Sequence, residues 1–232
     1  PSETDGSEIT IVKGAKKGVY IRRAGLDFKN GEIGIPKNKR LTSRDIGLAA
    51  SMNVPWILVR RRPRVAILAT GDEIVRPGES ASKNQIVSSN SYMLHAFMTA
   101  LGADVQILGI APDNTDTIGA LAREAYGSDL LVTTGGASVG EHDLIQKALS
   151  TNKFGKQGLN LNFWKIAMRP GKPLIFGELQ QKPFIGLPGN PVSTMICSLI
   201  FLKPAIETML GLEHKQETVF ASLSKDLHKN DE

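Results

Sequence analysis

Cysteine occurs once in the 232 residues, as Cys197 in the apolar run "MICSLIFL". That excludes an intrachain disulfide and points to core packing in a reducing cytoplasm. Histidine occurs four times, as His95, His142, His214 and His228, with no spacing that would ligate zinc beside a single thiol. No continuous apolar run is long enough to cross a bilayer, and no signal-peptide core lies near the start. The expectation is a soluble, cytoplasmic chain with no membrane partner. Aromatic residues make up only 6%, and none interleaves the densest cationic cluster, "RRRPR" at Arg60–Arg64. The net charge of +5 and pI near 9.3 suit an anionic ligand. As a nucleic-acid signal they are weak, and no such partner is expected; the cluster reads as a solvated domain junction.

What is present supports a sizeable core. Hydrophobic residues reach 41%, enough for one large domain plus a smaller piece. The chain begins at Pro1 without methionine and ends in "SKDLHKNDE", so a segment of a longer protein is expected. Up to Pro63, short alternating runs ("ITIV", "VYIRR", "EIGIP") read as a small β-rich module, the end of a preceding domain. Within it, Thr42 or Ser43 can cap a short helix whose first turn suits Asp45. Residues 212–232, with "ETVFASLSKDL", read as the start of a C-terminal β domain.

Residues 64–211 change pattern. "RVAILAT", "VQILGIA" and "DLLVTTG" alternate with the helical stretches "SNSYMLHAFMTALG", "NTDTIGALAREAYG" and "HDLIQKALS". Met93, Leu94, Phe97, Met98 and Leu101 form one apolar stripe ended by Gly102; Ile118, Leu121, Ala122 and Ala125 form another, with Gly127 in the equivalent place. This order predicts an α/β fold, a mostly parallel sheet with helices on both faces, preceded by the small β-rich module. "PLIFG" and "PFIGLP" read as a hairpin at one side, and an apolar helix should start near Val192 and be kinked or restarted by Pro204.

In such a sheet, ligands bind at the carboxyl ends of the strands. "ATGDE" (Ala69–Glu73), "TTGGASVGEHD" (Thr133–Asp143) and "LPGNPVS" (Leu187–Ser193) each follow a strand, so they should crowd one edge. The middle loop reads as an anion cradle, since glycines let several N–H groups approach one anion. Thr70 and Gly71 in the first loop, and Gly135, Gly136 and Gly140 in the middle one, are the ligand-facing candidates. Asp72 and Asp143 would face the same crevice, and two carboxylates beside a phosphate require a divalent cation, with hard oxygen ligands suiting magnesium. The alternative is that Asp72 makes a turn and Asp143 caps a helix beginning at Leu144. In "WKIAMRPGKP", Lys165, Arg169 and Lys172 could hold an oxyanion, with Lys165 and Arg169 on one face of an extended stretch; surface cations on an edge strand are the other reading. Pro188, Gly189, Asn190, Pro191 and Ser193 form a rigid turn that either faces an anion with free helix N–H groups or is simply capped by Asn190.

"RVAILATGDEIVRPGE", "TTGGASVGEHD", "WKIAMRPGKPLIFG" and "GLPGNPVS", in this order, resemble the molybdopterin molybdenumtransferases, the MoeA family, whose eukaryotic relatives include the gephyrin E domain. The stretch "IRRAGLDFKNGEIGIPKNKRLTSRDIGLAASMNV" resembles what precedes their pterin-binding domain. The resemblance implies insertion of molybdate into molybdopterin, delivered in adenylylated form and hydrolysed with magnesium, in a homodimer. It implies catalytic and metal roles for Asp72 and Asp143, a place near the pterin for Ser138, and substrate or molybdate contacts for Lys165, Arg169 and Ser193. The adenylyltransferase and molybdoenzymes are implied partners. Two positions depart from the pattern: Ser88 stands where many members carry aspartate, and Arg169 where many bacterial members carry lysine. The alternatives are a molybdopterin adenylyltransferase, which shares this pterin-binding fold, and a pterin-binding or scaffold module without turnover.

Overall fold

A computed structural model describes residues 2–4, 9–135, 142–150, 154, 158–213 and 218–226. The chain divides into two compact units, Pro1–Ile57 and Leu58–Glu232.

In the first unit, β1 (Ser2–Thr4) and β2 (Ile9–Ile11) pair antiparallel, and α1 spans Ser43–Ser51. Thr42 caps α1 in a full capping box: its hydroxyl accepts from Asp45 N, and the Asp45 carboxylate accepts from Thr42 N. The Lys39 ammonium, bonded to the same carboxylate, leads the contacts that hold the Asp45 pKa down at about 2. "VYIRR" and "EIGIP" do not form the expected strands. They run as turns and irregular chain, with Tyr20, Ile21 and Ile33 exposed. Alternation alone does not make a strand where no neighbouring strand supplies its hydrogen bonds.

The second unit carries a six-stranded sheet in the order β6-β3-β7-β10-β9-β8. Its strands are β3 (Arg64–Thr70), β6 (Asp104–Ala111), β7 (Leu130–Thr134), β8 (Asn160–Trp164), β9 (Ile175–Leu179) and β10 (Lys182–Leu187). β3, β6, β7 and β10 are mutually parallel, and only β9 runs against the rest. β4 (Ile74–Val75) and β5 (Ile86–Val87) form a separate parallel pair. The expected hairpin is β9–β10, turned by Gln180 and Gln181, both at positive φ as a two-residue turn of this kind requires.

Helices cover both faces. α2 (Asn90–Leu101) packs Leu94 and Met98 against Val65, Ile67 and Val132, and Gly102 (φ 106°) closes it through bonds to Met98 O and Thr99 O. α3 (Thr115–Glu124) and α4 (His142–Ala148) cover the opposite face, where Ile118, Ala122 and Ile145 meet Ala66, Leu68 and Phe184. Gly127 does not end α3 as Gly102 ends α2. The helix tightens into a 3-10 turn over Ala125–Gly127, and Asn114 caps its start.

The last helix is composite: α5 (Pro191–Cys197), a π turn (Ser198–Leu202) and α6 (Lys203–Met209). Pro204 sits in the first turn of α6, where its missing N–H costs nothing, and the wider turn before it absorbs the ring. Among the described residues this is the one helix whose length and composition would suffice to cross a bilayer. The sequence, read as continuous apolar runs, had shown none because Lys203 and Glu207 interrupt it. Its buried Cys197, Leu202 and Ile206 belong to the core on the α2 face. Burial pushes the Cys197 thiol pKa up, which keeps it neutral as core packing.

Candidate functional site

Parallel pairing puts the ends of β3, β6, β7 and β10 at one edge, with Leu187 paired to Thr134, Thr134 to Ala69, and Thr70 to Ala111. β8 ends at this edge too, at Trp164, and its loop returns through Lys165–Leu174 to start β9. From β3 the chain crosses to β6 on one side, then returns past β3 to β7 on the other. Such a reversal, here between the ends of β3 and β7, is where open α/β sheets carry the crevice that takes their ligands.

The loops there are in close contact. Gly135 has φ +86°, a Cβ built on it would overlap the Thr70 carbonyl oxygen, and a Cβ built on Gly189 would lie 3.5 Å from the Gly135 Cα. Only glycine fits, because both the conformation and the space exclude a side chain. Thr70 is buried and Gly71 N donates to Ala111 O at 3.1 Å, so the end of β3 is fixed to that of β6. The three glycine-containing loops therefore share one edge, as their strand-end positions predict.

Asp72 is exposed at the lip, and its Oδ1 accepts the Asp113 N–H at 3.0 Å while Gln85 Nε2 donates to its backbone oxygen at 3.3 Å. Asp72 does lie in a turn, but its Oδ1 bond bridges to the loop after β6 rather than closing that turn, and Oδ2 takes no part in the bridge. Asp143 is the second residue of α4, which starts at His142 rather than Leu144, so it is inside the helix and not its cap residue. Its side chain, with Gly136, Ser138 and Gly140, lies outside the described residues. Among the described residues no three His, Cys, Asp or Glu side chains converge. Magnesium binds through one or two carboxylates plus substrate oxygens and water, so a lone exposed carboxylate oxygen at Asp72 fits its requirements.

Lys165, Arg169 and Lys172 are all exposed in the loop between β8 and β9. The extended stretch expected here ends at Trp164. Lys165 has φ 65°, and Lys165 N→Leu174 O and Ile166 N→Lys172 O bonds fold the rest into a tight loop. Period-two alternation therefore does not put Lys165 and Arg169 on one face. The Lys165 Nζ lies 3.9 Å from the centre of the Trp164 ring, so the ring face helps to fix that charge. Gly171 (φ 118°) seats the loop on the core, since a Cβ there would meet Cys197 Sγ at 2.6 Å and Met168 Cε at 2.5 Å.

At the start of α5, Asn190 Oδ1 accepts from Val192 N at 3.0 Å and Ser193 N at 3.1 Å, with Pro191 at the first helical position. The capping reading holds here, and these two N–H groups are not free for an anion. Gly189 and Asn190 are exposed, while Pro188 is buried, its carbonyl taking the Thr194 hydroxyl at 2.6 Å.

The sequence reading missed Asn90, the first residue of α2. Its Nδ2 donates to Thr134 Oγ1 at 3.0 Å and to Gly189 O at 2.7 Å, joining α2, the end of β7 and the turn before α5. No local pattern signals a bond between residues 44 and 99 positions apart.

At the opposite edge, Arg61 forms a two-pronged bond to Asp129 (Nη2–Oδ1 2.7 Å), and Arg64 N adds a bond to the same carboxylate at 2.8 Å. Arg61, the leading cause, holds the Asp129 pKa down at about 2. The "RRRPR" cluster thereby pins the start of β3 to that of β7, beside a cavity of about 490 Å³ lined by Val59, Arg60, Arg61, Pro63, Asp129 and Met209.

Comparison with known proteins gives this edge a context. A family model described as "Probable molybdopterin binding domain" matches residues 66–208. The "Molybdopterin molybdenumtransferase" of Haemophilus influenzae is 36% identical over 89% of this chain and 50% of its own length; that of a Nostoc strain is 31% identical over 97% and 52%. The "molybdopterin biosynthesis moea protein" structure from Pyrococcus horikosii superposes with a TM-score of 0.73 at 30% identity, covering 90% of this chain and 51% of that one. The chain spans about half the length of the curated relatives it matches. With the family model covering more than half of the sheet-bearing chain, the protein belongs to the family of the probable molybdopterin binding domain.

Proposed function

We propose that residues 64–211 form the molybdopterin-binding domain of a molybdopterin molybdenumtransferase, which inserts molybdate into adenylylated molybdopterin in molybdenum cofactor biosynthesis. The observation that carries this reading is the meeting of Thr70, Gly135 and Gly189 at the β3/β7 crevice, where bare backbone is the surface offered to a ligand. Relatives of 31% and 36% identity named for that reaction support it. The proposal extends to a cytoplasmic homodimer that works with the adenylyltransferase and hands its product to molybdoenzymes.

The residues divide the work by charge. Thr70, Gly135, Gly136, Ser138 and Gly140 bring N–H and hydroxyl groups to the phosphate side of the ligand, while Gly71, its N–H bonded to Ala111 O, lets the chain pass close beside it. Lys165, Arg169 and Lys172 attract molybdate, a dianion, with Arg169 supplying a planar fork and the lysines point charges. The Pro188–Ser193 turn closes the edge, and the Ser193 hydroxyl, held only by a long 3.5 Å bond to Asn190 Oδ1, can turn to donate to the ligand. Asp72 Oδ2 and the Asp143 carboxylate would hold Mg2+, which supplies charge neutralisation for hydrolysis of the phosphoanhydride.

Calorimetric titration of adenylylated molybdopterin into this chain, with and without magnesium, tests the reading. Magnesium should tighten binding by about tenfold or more in the parent, and Asp72→Asn should lose that gain. Binding that is absent, or equally strong in both proteins with and without the metal, would overturn it.

A further inference from the structure

We infer that Asn90 is a positioning residue of the strand-end site, holding the Gly189 turn against the end of β7. The inference rests on the proposed function only where it concerns ligand; the mechanical part stands on geometry. Asn90 Nδ2 reaches Gly189 O at 2.7 Å and Thr134 Oγ1 at 3.0 Å, and the Thr134 hydroxyl donates to Pro188 O at 3.3 Å. Gly189 O can only accept, and the Thr134 proton is already given away. Exchanging the amide's nitrogen and oxygen would set acceptor against acceptor at both contacts. The nitrogen is therefore fixed toward the two loops. The oxygen is fixed away from them, where it is buried without a hydrogen-bond partner among the described residues.

An amide with one end so placed is a poor stabiliser, because burying an unsatisfied acceptor offsets what the two bonds at the other end contribute. What the arrangement secures is location. Thr194 extends the same lock, its one hydroxyl proton shared between Pro188 O at 2.6 Å and Asn190 O at 2.8 Å. α2, β7 and α5 are thus tied at the point where the Pro188–Ser193 turn faces the crevice. The ligand-facing part of that turn depends on Asn90 without touching it through any side chain of its own.

Hydrogen exchange and calorimetry on Asn90→Ala, Thr134→Val and the double variant test this. The Val192, Ser193 and Thr194 amides should exchange at least about tenfold faster in each single variant, the equivalent of one lost hydrogen bond, with the rest of the sheet unchanged. Molybdopterin affinity should fall by about tenfold or more, since small misplacement of a binding group is costly. The unfolding midpoint should move by no more than about 3 °C. The double variant should be no worse than Asn90→Ala alone, because both changes break one lock. Unchanged exchange at the turn overturns the inference, as does exchange raised throughout the protein, which would mark a merely structural role. Faster exchange with unchanged affinity overturns the part concerning ligand. If Asn90→Ala fails to fold, Thr134→Val decides alone. A parent that binds no molybdopterin would sink the proposed function, while the exchange result would still decide whether Asn90 fixes the turn.

Discussion

A side chain on Gly135 would put its first carbon 2.2 Å from the Thr70 carbonyl oxygen, at a φ of +86° that other residues rarely adopt. Either the β7 loop or the β3 end must then move. Gly135→Ala should therefore destabilise the protein by about 3 kcal/mol and displace the crevice, read by denaturant unfolding and by lost ligand binding. The cap on α5 is milder. Asn190→Ala should cost about 1 kcal/mol, measurable in the same unfolding experiment, because Val192 N and Ser193 N lose their acceptor. Asp129 makes a pH-dependent contribution. Its pKa is about 2 in the fold against an ordinary 3.8, so the stabilisation is present above pH 4 or so and is lost as pH falls through about 2. Arg61 is largely exposed, and solvent screening limits the effect to about 1 kcal/mol; Asp129→Asn should remove that much acid sensitivity between these values. At this scale the sequence is legible where a residue acts on its near neighbours, as Asn190, Thr42 and Gly102 do. It is silent where a side chain acts across the fold, as Asn90 does toward Thr134 and Gly189, or Arg61 toward Asp129.

The elements that periodicity announces are those with a large buried face. β3 is buried along Val65–Thr70, and α2 and α3 carry stripes that end in the two core clusters. Phe184 on β10 lies fully buried among Ala66, Ile145 and Leu149. Phe184→Ala should cost about 3–5 kcal/mol in the unfolding experiment, because the sheet and α4 cannot both collapse into the space. Elements without such a face are hard to read. The alternating runs near Tyr20 and Ile33 find no strand to pair with, and the Lys165–Leu174 loop leaves strand geometry at Lys165 although its composition suggests extension. Pro204 was legible because a ring without an N–H has few places in a helix, while the π turn that accommodates it was not. The strand-end position of the three glycine loops followed from element order, whereas their mutual contact depends on register, which local sequence does not encode.

On the scale of the whole second unit, the sheet has two chemically different edges. Its carboxyl edge carries Thr70, Gly135, Gly189, Asp72 and the Lys165–Lys172 loop; its amino edge carries Arg60–Arg64, Asp129 and the 490 Å³ cavity. Concavity and positive charge alone favour the amino edge as an anion site. Chain reversal and bare backbone favour the other. Arg61 at the amino edge is taken up by Asp129, and the proposed function puts ligand chemistry at the carboxyl edge. The most direct test is a hydrogen-exchange footprint of molybdopterin on this chain. Protection at Thr70–Asp72, Gly135, Lys165–Lys172 and Gly189–Ser193, with Arg60–Arg64 and Asp129 unchanged, is the predicted result. Protection confined to Arg60–Arg64 and Asp129 would place the ligand at the amino edge instead.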